Sequence, residues 1–331
     1  MRRGAMARAL AALLASGAAS GLSTVAQQER HWPVRVFHSD GEGMGASGFS
    51  NAAIGWGSTA AASATVPVRE PVPGVPGAFH VRGLLQRGEC ERLISLAEDS
   101  GFTEESRLFD PNEERRSGAL HAAIDFGPVF ERCRKLLPAS IYAFEDRDDG
   151  VTDAAWARRC PGAPEGVYKL AGISPRARVY RYRPGSGDTF RPHRDDVWPG
   201  CSLASDVDGS HEFDSIVFDK WYYAKDGGDW RFNAGDRVSQ LSLLLYLNDD
   251  FEGGETTFFD GQGAETCPVE PVAGDALCFF QNFRLGRDEK FDAALAHFHE
   301  GSPVKARLGG GTRPKYAIRT DVLYYFPESR R

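Results

Sequence analysis

Several binding modes that leave plain marks on a sequence have no mark here. The six cysteines include no C-x-x-C pair, so neither a zinc knuckle nor a thioredoxin-like redox site is indicated. Basic residues are not in excess. With 39 Lys and Arg against 46 Asp and Glu, the net charge is −7, and the electrostatic footprint of a nucleic-acid binder is missing. Apolar runs are short, and none reaches the roughly twenty residues of a spanning helix, so stable membrane insertion is not expected. The Gly253–Gly254 pair and Gly274 are followed by no helical pattern, which makes them turns rather than phosphate cradles. No internal repeat is visible. What remains is a peptide, protein or small-molecule partner.

At 331 residues the chain can bury a real core without disulfide or metal staples. Cys133 and Cys278 lie in apolar runs, where a buried free thiol is expected. The start, "MRRGAMARALAALLASGAASGLSTVAQQ", carries three Arg, no acid and a short Ala/Leu run. It reads as a targeting segment over residues 1–28, first as a secretory signal (ER lumen or secreted) and second as an organelle transit peptide. Residues 29–75, Gly-, Ala-, Ser- and Pro-rich toward their end, have too little apolar surface to offset chain entropy and read as a flexible linker. A domain is expected over 76–331, with helical support in 76–165 and a β core in 166–331.

Cys90, Leu93, Ile94, Leu96 and Ala97 recur at helical spacing in "QRGECERLISLAEDSGF", with Gly101 as a stop. A second helix is expected through "FGPVFERCRKLLPASI", with Pro128 near its start. From residue 176 the period changes to two. "RARVYRYRP", "QLSLLLYLND", "GGETTFF", "DALCFF" and "KYAIRTDVLYYF" read as strands. Helices followed by many short strands without helical crossovers predict a mainly β (α+β) fold, a double-sheet jelly roll with helical support.

Within that β region "FRPHRDD" sets His193 two residues before Asp195. About one such pair is expected by chance in a chain this long, and His38 with Asp40 in "FHSD" has the same spacing in a stretch without strand pattern. Context separates the two. His193 and Asp195 follow a strand and a Gly turn, and residues i and i+2 of extended backbone share a face. An imidazole and a carboxylate on one face can hold one metal, and a second histidine from a distant strand would complete a two-histidine, one-carboxylate set for Fe(II). "HFHEGSPV" offers His297 and His299, which spacing does not distinguish. His211, in "DGSHEFDS", reads as a loop residue.

Four phrases, "YRYRPGSGDTFRPHRD", "LSLLLYLNDDFEGGETTFF", "VEPVAGDALCFF" and "HEGSPV" with "KYAIRTDVLYY", resemble in order and style the Fe(II)/2-oxoglutarate-dependent dioxygenases of the prolyl 4-hydroxylase-like branch. The resemblance runs over about residues 76–326, and "ECERLISLAEDSGF" looks like the branch's support helix. It implies His193, Asp195 and His299 as the catalytic iron ligands, His299 being the histidine of the H-E-G-S-P-V phrase and His297 a packed neighbour. It further implies 2-oxoglutarate as cosubstrate, O₂, ascorbate as reductant, and hydroxylation of a C–H bond, first of a peptidyl proline. A halogenase would have a small residue in place of Asp195.

The far carboxylate of 2-oxoglutarate needs a cation in a dry pocket. Lys315 and Arg319 are the candidates, with Tyr182 and Tyr246 as hydroxyl donors; the branch sets its basic anchor before an aromatic, as Lys315 stands before Tyr316. Three stretches depart from the family: the long segment after the H-x-D block, "RLGRDEKFDAALA", and "KARLGGGTRP" before Lys315. Trp198, Trp221, Tyr222, Tyr223 and Trp230 either line a substrate groove in the first of these or pack it. Two rival readings are a cupin-like metal enzyme, which would have no use for the buried cation, and a non-catalytic jelly-roll binding module, which would tolerate loss of a ligand.

Overall fold

The structure is a computed structural model; it describes residues 47–57, 66–104, 118–144, 156–159, 165–203, 216–219, 222–226, 229–233, 236–260, 263–281, 297–306 and 312–327. The segment 1–28, the His38–Asp40 pair, Cys160, His211 and Trp221 lie outside these, as do the side chains of Tyr222, Tyr223 and Trp230. No helix among the described residues is long and apolar enough to cross a membrane.

Two sheets face each other, as in a jelly roll. The larger runs in the order Ser47–Phe49, Gly118–Ile124, Arg176–Tyr182, Lys315–Tyr325, Arg237–Tyr246, Ala276–Phe280, Phe79–Arg82, Val68–Pro71. The smaller is Phe190–His193, Phe298–Gly301, Thr256–Phe259, Glu265–Val269. Both are largely antiparallel, although Ser47–Phe49 pairs in parallel with Gly118–Ile124.

The closing strand Lys315–Tyr325 lies at the centre of the larger sheet, and every residue but Tyr325 is buried. Its alternation sorts side chains by chemistry. Tyr316, Ile318 and Val322 join the main apolar cluster with Leu93, Ile94 and Val179, while Lys315, Ala317 and Arg319 face the smaller sheet and line a pocket. The polar face of this strand thus points inward. Helix Arg87–Ser100 covers the other face, burying Cys90, Leu93, Ile94 and Ala97, each fully buried Leu or Ile contributing about 1.5–3 kcal/mol. Glu89 fixes its start: the carboxylate accepts from the Gln86 N–H at 2.8 Å, from Gly57 N–H at 2.8 Å and from both terminal nitrogens of Arg132.

Three expectations need correction. The second helix is only Gly127–Cys133; Leu136 and Leu137 turn back onto the Cys133 carbonyl, and Ser140–Phe144 is a strand. Pro138 ends the helical pattern. The described residues of 76–165 are not only helical support, because Phe79–Arg82, Gly118–Ile124, Ser140–Phe144 and Ala157–Arg159 are strands. Gly118–Ile124 is rich in Ala and carries a weak strand signal. The presumed linker 29–75 is partly folded: Ser47–Phe49 and Val68–Pro71 pair into the larger sheet, and Phe49, Ile54 and Val72 are buried. A few large apolar residues suffice because the sheet edges offer backbone partners that composition does not reveal.

Cysteines 90, 133, 201 and 278 are free and buried, as is expected for Cys133 and Cys278; Cys267 is free and half-buried. Trp198 packs on a guanidinium, with the Arg176 Cζ 3.9 Å from its ring centroid.

Candidate active site

The turn after Arg176–Tyr182 is closed by Asp188, whose buried carboxylate accepts from the Arg183 backbone N–H at 2.9 Å and from its guanidinium. The chain then enters Phe190–His193 at the edge of the smaller sheet, where His193 is the cross-strand partner of His299. Asp195 follows and turns inward, 8% exposed. One ligand atom from each of His193, Asp195 and His299 lies within 4.8 Å of the others.

Each histidine is oriented for a metal. His193 Nδ1 meets the Arg191 carbonyl at 2.7 Å, and His299 Nδ1 meets the His297 carbonyl at 3.0 Å. A carbonyl only accepts, so Nδ1 carries the proton and Nε2 keeps its lone pair. His193 Nε2 is buried without a hydrogen-bond partner among the described residues, 3.5 Å from Asp195 Oδ1, and His299 Nε2 is 3.9 Å from Asp195 Oδ2. Burial, then the neighbouring His193, push His299 down to about 3 against the pull of Asp195. It is neutral and able to ligate. Burial opposes ionisation of Asp195, but the Arg319 guanidinium beside it outweighs that and holds the carboxyl well below its ordinary range. Two imidazole nitrogens and one carboxylate oxygen, with a buried nitrogen that has no hydrogen-bond partner among the described residues, are the donor set of a non-haem Fe(II) centre.

His297 is no competitor. Its Nδ1 accepts from the Phe280 N–H at 3.1 Å and its Nε2 donates to the Pro76 carbonyl at 2.8 Å.

Tyr180, Tyr182, Phe190, Thr256 and Phe279 line the same pocket as the three ligands, Lys315 and Arg319. Lys315 is 2% exposed; its ammonium donates to the Gly254 carbonyl at 2.6 Å and lies 5.0 Å from the ring centroid of Tyr182, its cross-strand partner. Gly254 has φ +71°, and a Cβ there would stand 3.1 Å from Lys315 Cδ, so the turn that cradles the lysine needs glycine. Burial pushes Lys315 down to about 7, with Glu255 pulling weakly the other way. Arg319 instead reaches Asp195, Nε to Oδ2 at 3.2 Å. Tyr246 lies one layer behind the pocket, donating to Thr256 Oγ1 at 2.8 Å, and so it backs a lining residue. Gly301 gives Tyr182 its room: a Cβ would come within 2.9 Å of the phenol oxygen.

Sequence reading passed over Tyr180, Thr256, Ser242, Gln281 and Asp321. Tyr180 is buried, and its hydroxyl has no hydrogen-bond partner among the described residues. Its signal was present in "VYRY", where the interior alternation that carries Tyr182 carries Tyr180 too.

The sequence profile of the 2OG-Fe(II) oxygenase superfamily matches residues 177–320, the stretch that holds all three ligands. Residues 177–320 form a 2OG-Fe(II) oxygenase domain. No curated protein sequence matches the chain. Among solved structures it is similar to a viral collagen prolyl hydroxylase from Paramecium Bursaria Chlorella virus-1 in complex with 2OG, at 16% identity and TM-score 0.37 over 76% of this chain and 97% of that one. A Pseudomonas putida prolyl-4-hydroxylase is similar at 15% identity and TM-score 0.36, covering 76% and 93%. A 2OG-Fe(II) oxygenase family oxidoreductase from Burkholderia pseudomallei follows at 11% identity and TM-score 0.28, covering 77% and 88%. The oxygenase domain implies Fe(II) at His193, Asp195 and His299, and 2-oxoglutarate as cosubstrate.

Proposed function

We propose that this 2OG-Fe(II) oxygenase hydroxylates a C–H bond of a prolyl residue in a peptide or protein, converting 2-oxoglutarate and O₂ to succinate and CO₂ as the substrate gains one oxygen. The observation that carries hydroxylation is a pocket with three metal donors at one end and a buried lysine at the other. Fe(II) bound by the three donors supplies the oxidising chemistry. Asp195 supports hydroxylation over halogenation, since the carboxylate occupies the position that a halide would need. The prolyl substrate rests on the four motif phrases and their order.

Lys315 is the residue we assign to the far carboxylate of 2-oxoglutarate, with Tyr182 as a hydroxyl partner. In a pocket this dry a carboxylate needs a desolvated cation, and Arg319 is already committed to Asp195. A cupin-like enzyme that uses no keto acid would gain nothing from burying Lys315. A binding module would not need the lone pairs of two histidines turned toward one carboxylate. Ascorbate is the reductant proposed to keep the iron ferrous.

The test is succinate formation by the pure protein with Fe(II), 2-oxoglutarate and ascorbate, followed by a peptide library screened for +16 Da products. Succinate with +16 Da on proline-containing peptides supports the full reading. Succinate with +16 Da only on other residues or on small molecules keeps the oxygenase and overturns the prolyl substrate.

A further inference from the structure

The hydrogen bonds behind Asp195 run in one direction. We propose that Ser239, Gln281 and Ser242 form a polarised relay that holds Asp195 as a one-oxygen metal ligand, making these three positioning residues determinants of metal affinity. The proposal goes beyond the hydroxylase reading and stands on the metal triad alone.

The relay starts at the backbone N–H of Trp198, which can only donate, and which reaches Ser239 Oγ at 2.7 Å. Ser239 in turn directs its proton to Gln281 Oε1 at 2.5 Å. The amide orientation is set twice over. Gln281 Nε2 faces Asp321 Oδ1 at 2.6 Å, and the reversed amide would place its oxygen against a carboxylate oxygen. The same Nε2 donates to Ser242 Oγ at 3.2 Å. Ser242 therefore receives a hydrogen bond and gives its own proton to Asp195 Oδ2 at 2.5 Å.

Arg319 Nε donates to that same oxygen at 3.2 Å, and its Nη2 is 3.1 Å from Asp321 Oδ1. Oδ2 thus has two donors, and Oδ1, on the His193 side, is left for the ion. Ser239, Ser242, Gln281 and Asp321 are each 0% exposed, so no bulk water competes for these bonds. Trp198 is three residues beyond Asp195, so the relay begins and ends on one segment and fastens it to the larger sheet. A β-bulge makes this possible. Ser239 and Ser242, three apart, would face opposite sides of a regular strand, but the register shifts between Ser239 and Leu241, and both hydroxyls reach Gln281.

The experiment is Mn(II) titration of the full chain by electron paramagnetic resonance in wild type, Ser239→Ala, Ser242→Ala, Gln281→Met and Ser242→Thr, with Tm recorded for each. Outer residues that orient a ligand typically change metal affinity about 10–100-fold. That rise in Mn(II) Kd is expected for Ser242→Ala and Gln281→Met, a smaller rise for Ser239→Ala, and recovery to near wild type in Ser242→Thr, which keeps the hydroxyl. A packing role alone would lower Tm and leave the Kd of the folded protein unchanged; an unchanged Kd in Ser242→Ala and Gln281→Met overturns the relay. Should either fail to fold, Ser239→Ala, which touches neither ligand nor metal, decides by the same criterion. Wild type that binds no Mn(II) would overturn the triad itself, and the relay with it.

Discussion

Lys315 and Arg319 leave the closing strand on the same face and serve opposite ends of one pocket. Arg319 donates to Asp195 at 3.2 Å, whereas Lys315 donates to the Gly254 carbonyl at 2.6 Å beneath the ring of Tyr182. Four residues of strand separate their Cα atoms by about 13 Å. Lys315→Ala should raise the apparent KM for 2-oxoglutarate by about 30-fold or more, the loss of a desolvated ion pair with a ligand carboxylate. Arg319→Ala should act first on metal affinity. A strong KM effect confined to Arg319→Ala would exchange the two assignments.

The same lysine gives 2-oxoglutarate binding a pH dependence. Burial brings Lys315 to about 7, so below that pH it is already charged and binding takes up no proton. Above it, binding the dianion requires protonation, and affinity should fall as pH rises, by up to about tenfold per unit. Calorimetry at pH 8 in two buffers of different ionisation enthalpy should show an uptake approaching one proton. Lys315→Arg should remove it; no uptake in wild type would count against a buried neutral lysine.

Loss of Asp195 or of His299 to Ala should abolish turnover and most metal binding. His297→Ala should retain metal, because both its ring nitrogens are engaged with Phe280 and Pro76. Iron content after reconstitution separates the two cases. Equal loss from both histidine variants would contradict the geometry.

The segment before residue 76 should prove structural. A chain starting at Ser47 is expected to unfold at the temperature of the full chain, and one starting at Pro76 at a lower temperature. The second lacks Phe49 and Ile54, both buried, each contributing about 1.5–3 kcal/mol. Equal Tm values would show that the pairing of Ser47–Phe49 with Gly118–Ile124 adds nothing.

Much of the site could be read from order and alternation. His193 and Asp195 are two apart on extended backbone, and that local fact survives folding. The inward face of "KYAIRTDV" follows from period two once one member, Lys315 or Arg319, is placed in the pocket. His299 could be told from His297 only through resemblance, because both occupy the same face in extended chain. The structure separates them by what lies beside each ring: Pro76 and Phe280 for one, His193 and Asp195 for the other.

By itself, then, the sequence determined the period of the later core strands, the support helix and the His193–Asp195 pair, since those depend on neighbours within a few residues. Only the tertiary structure decided that residues 47–57 and 66–75 belong to the fold, that Arg319 donates to Asp195 while Lys315 donates to the Gly254 carbonyl, and that Ser239, Gln281 and Ser242 stand behind Asp195. Each of these depends on which distant backbone or side chain supplies the missing partner. A bulge at Gln240, one residue in a strand, brings two serines onto one glutamine, and no local pattern announces where a strand will slip its register.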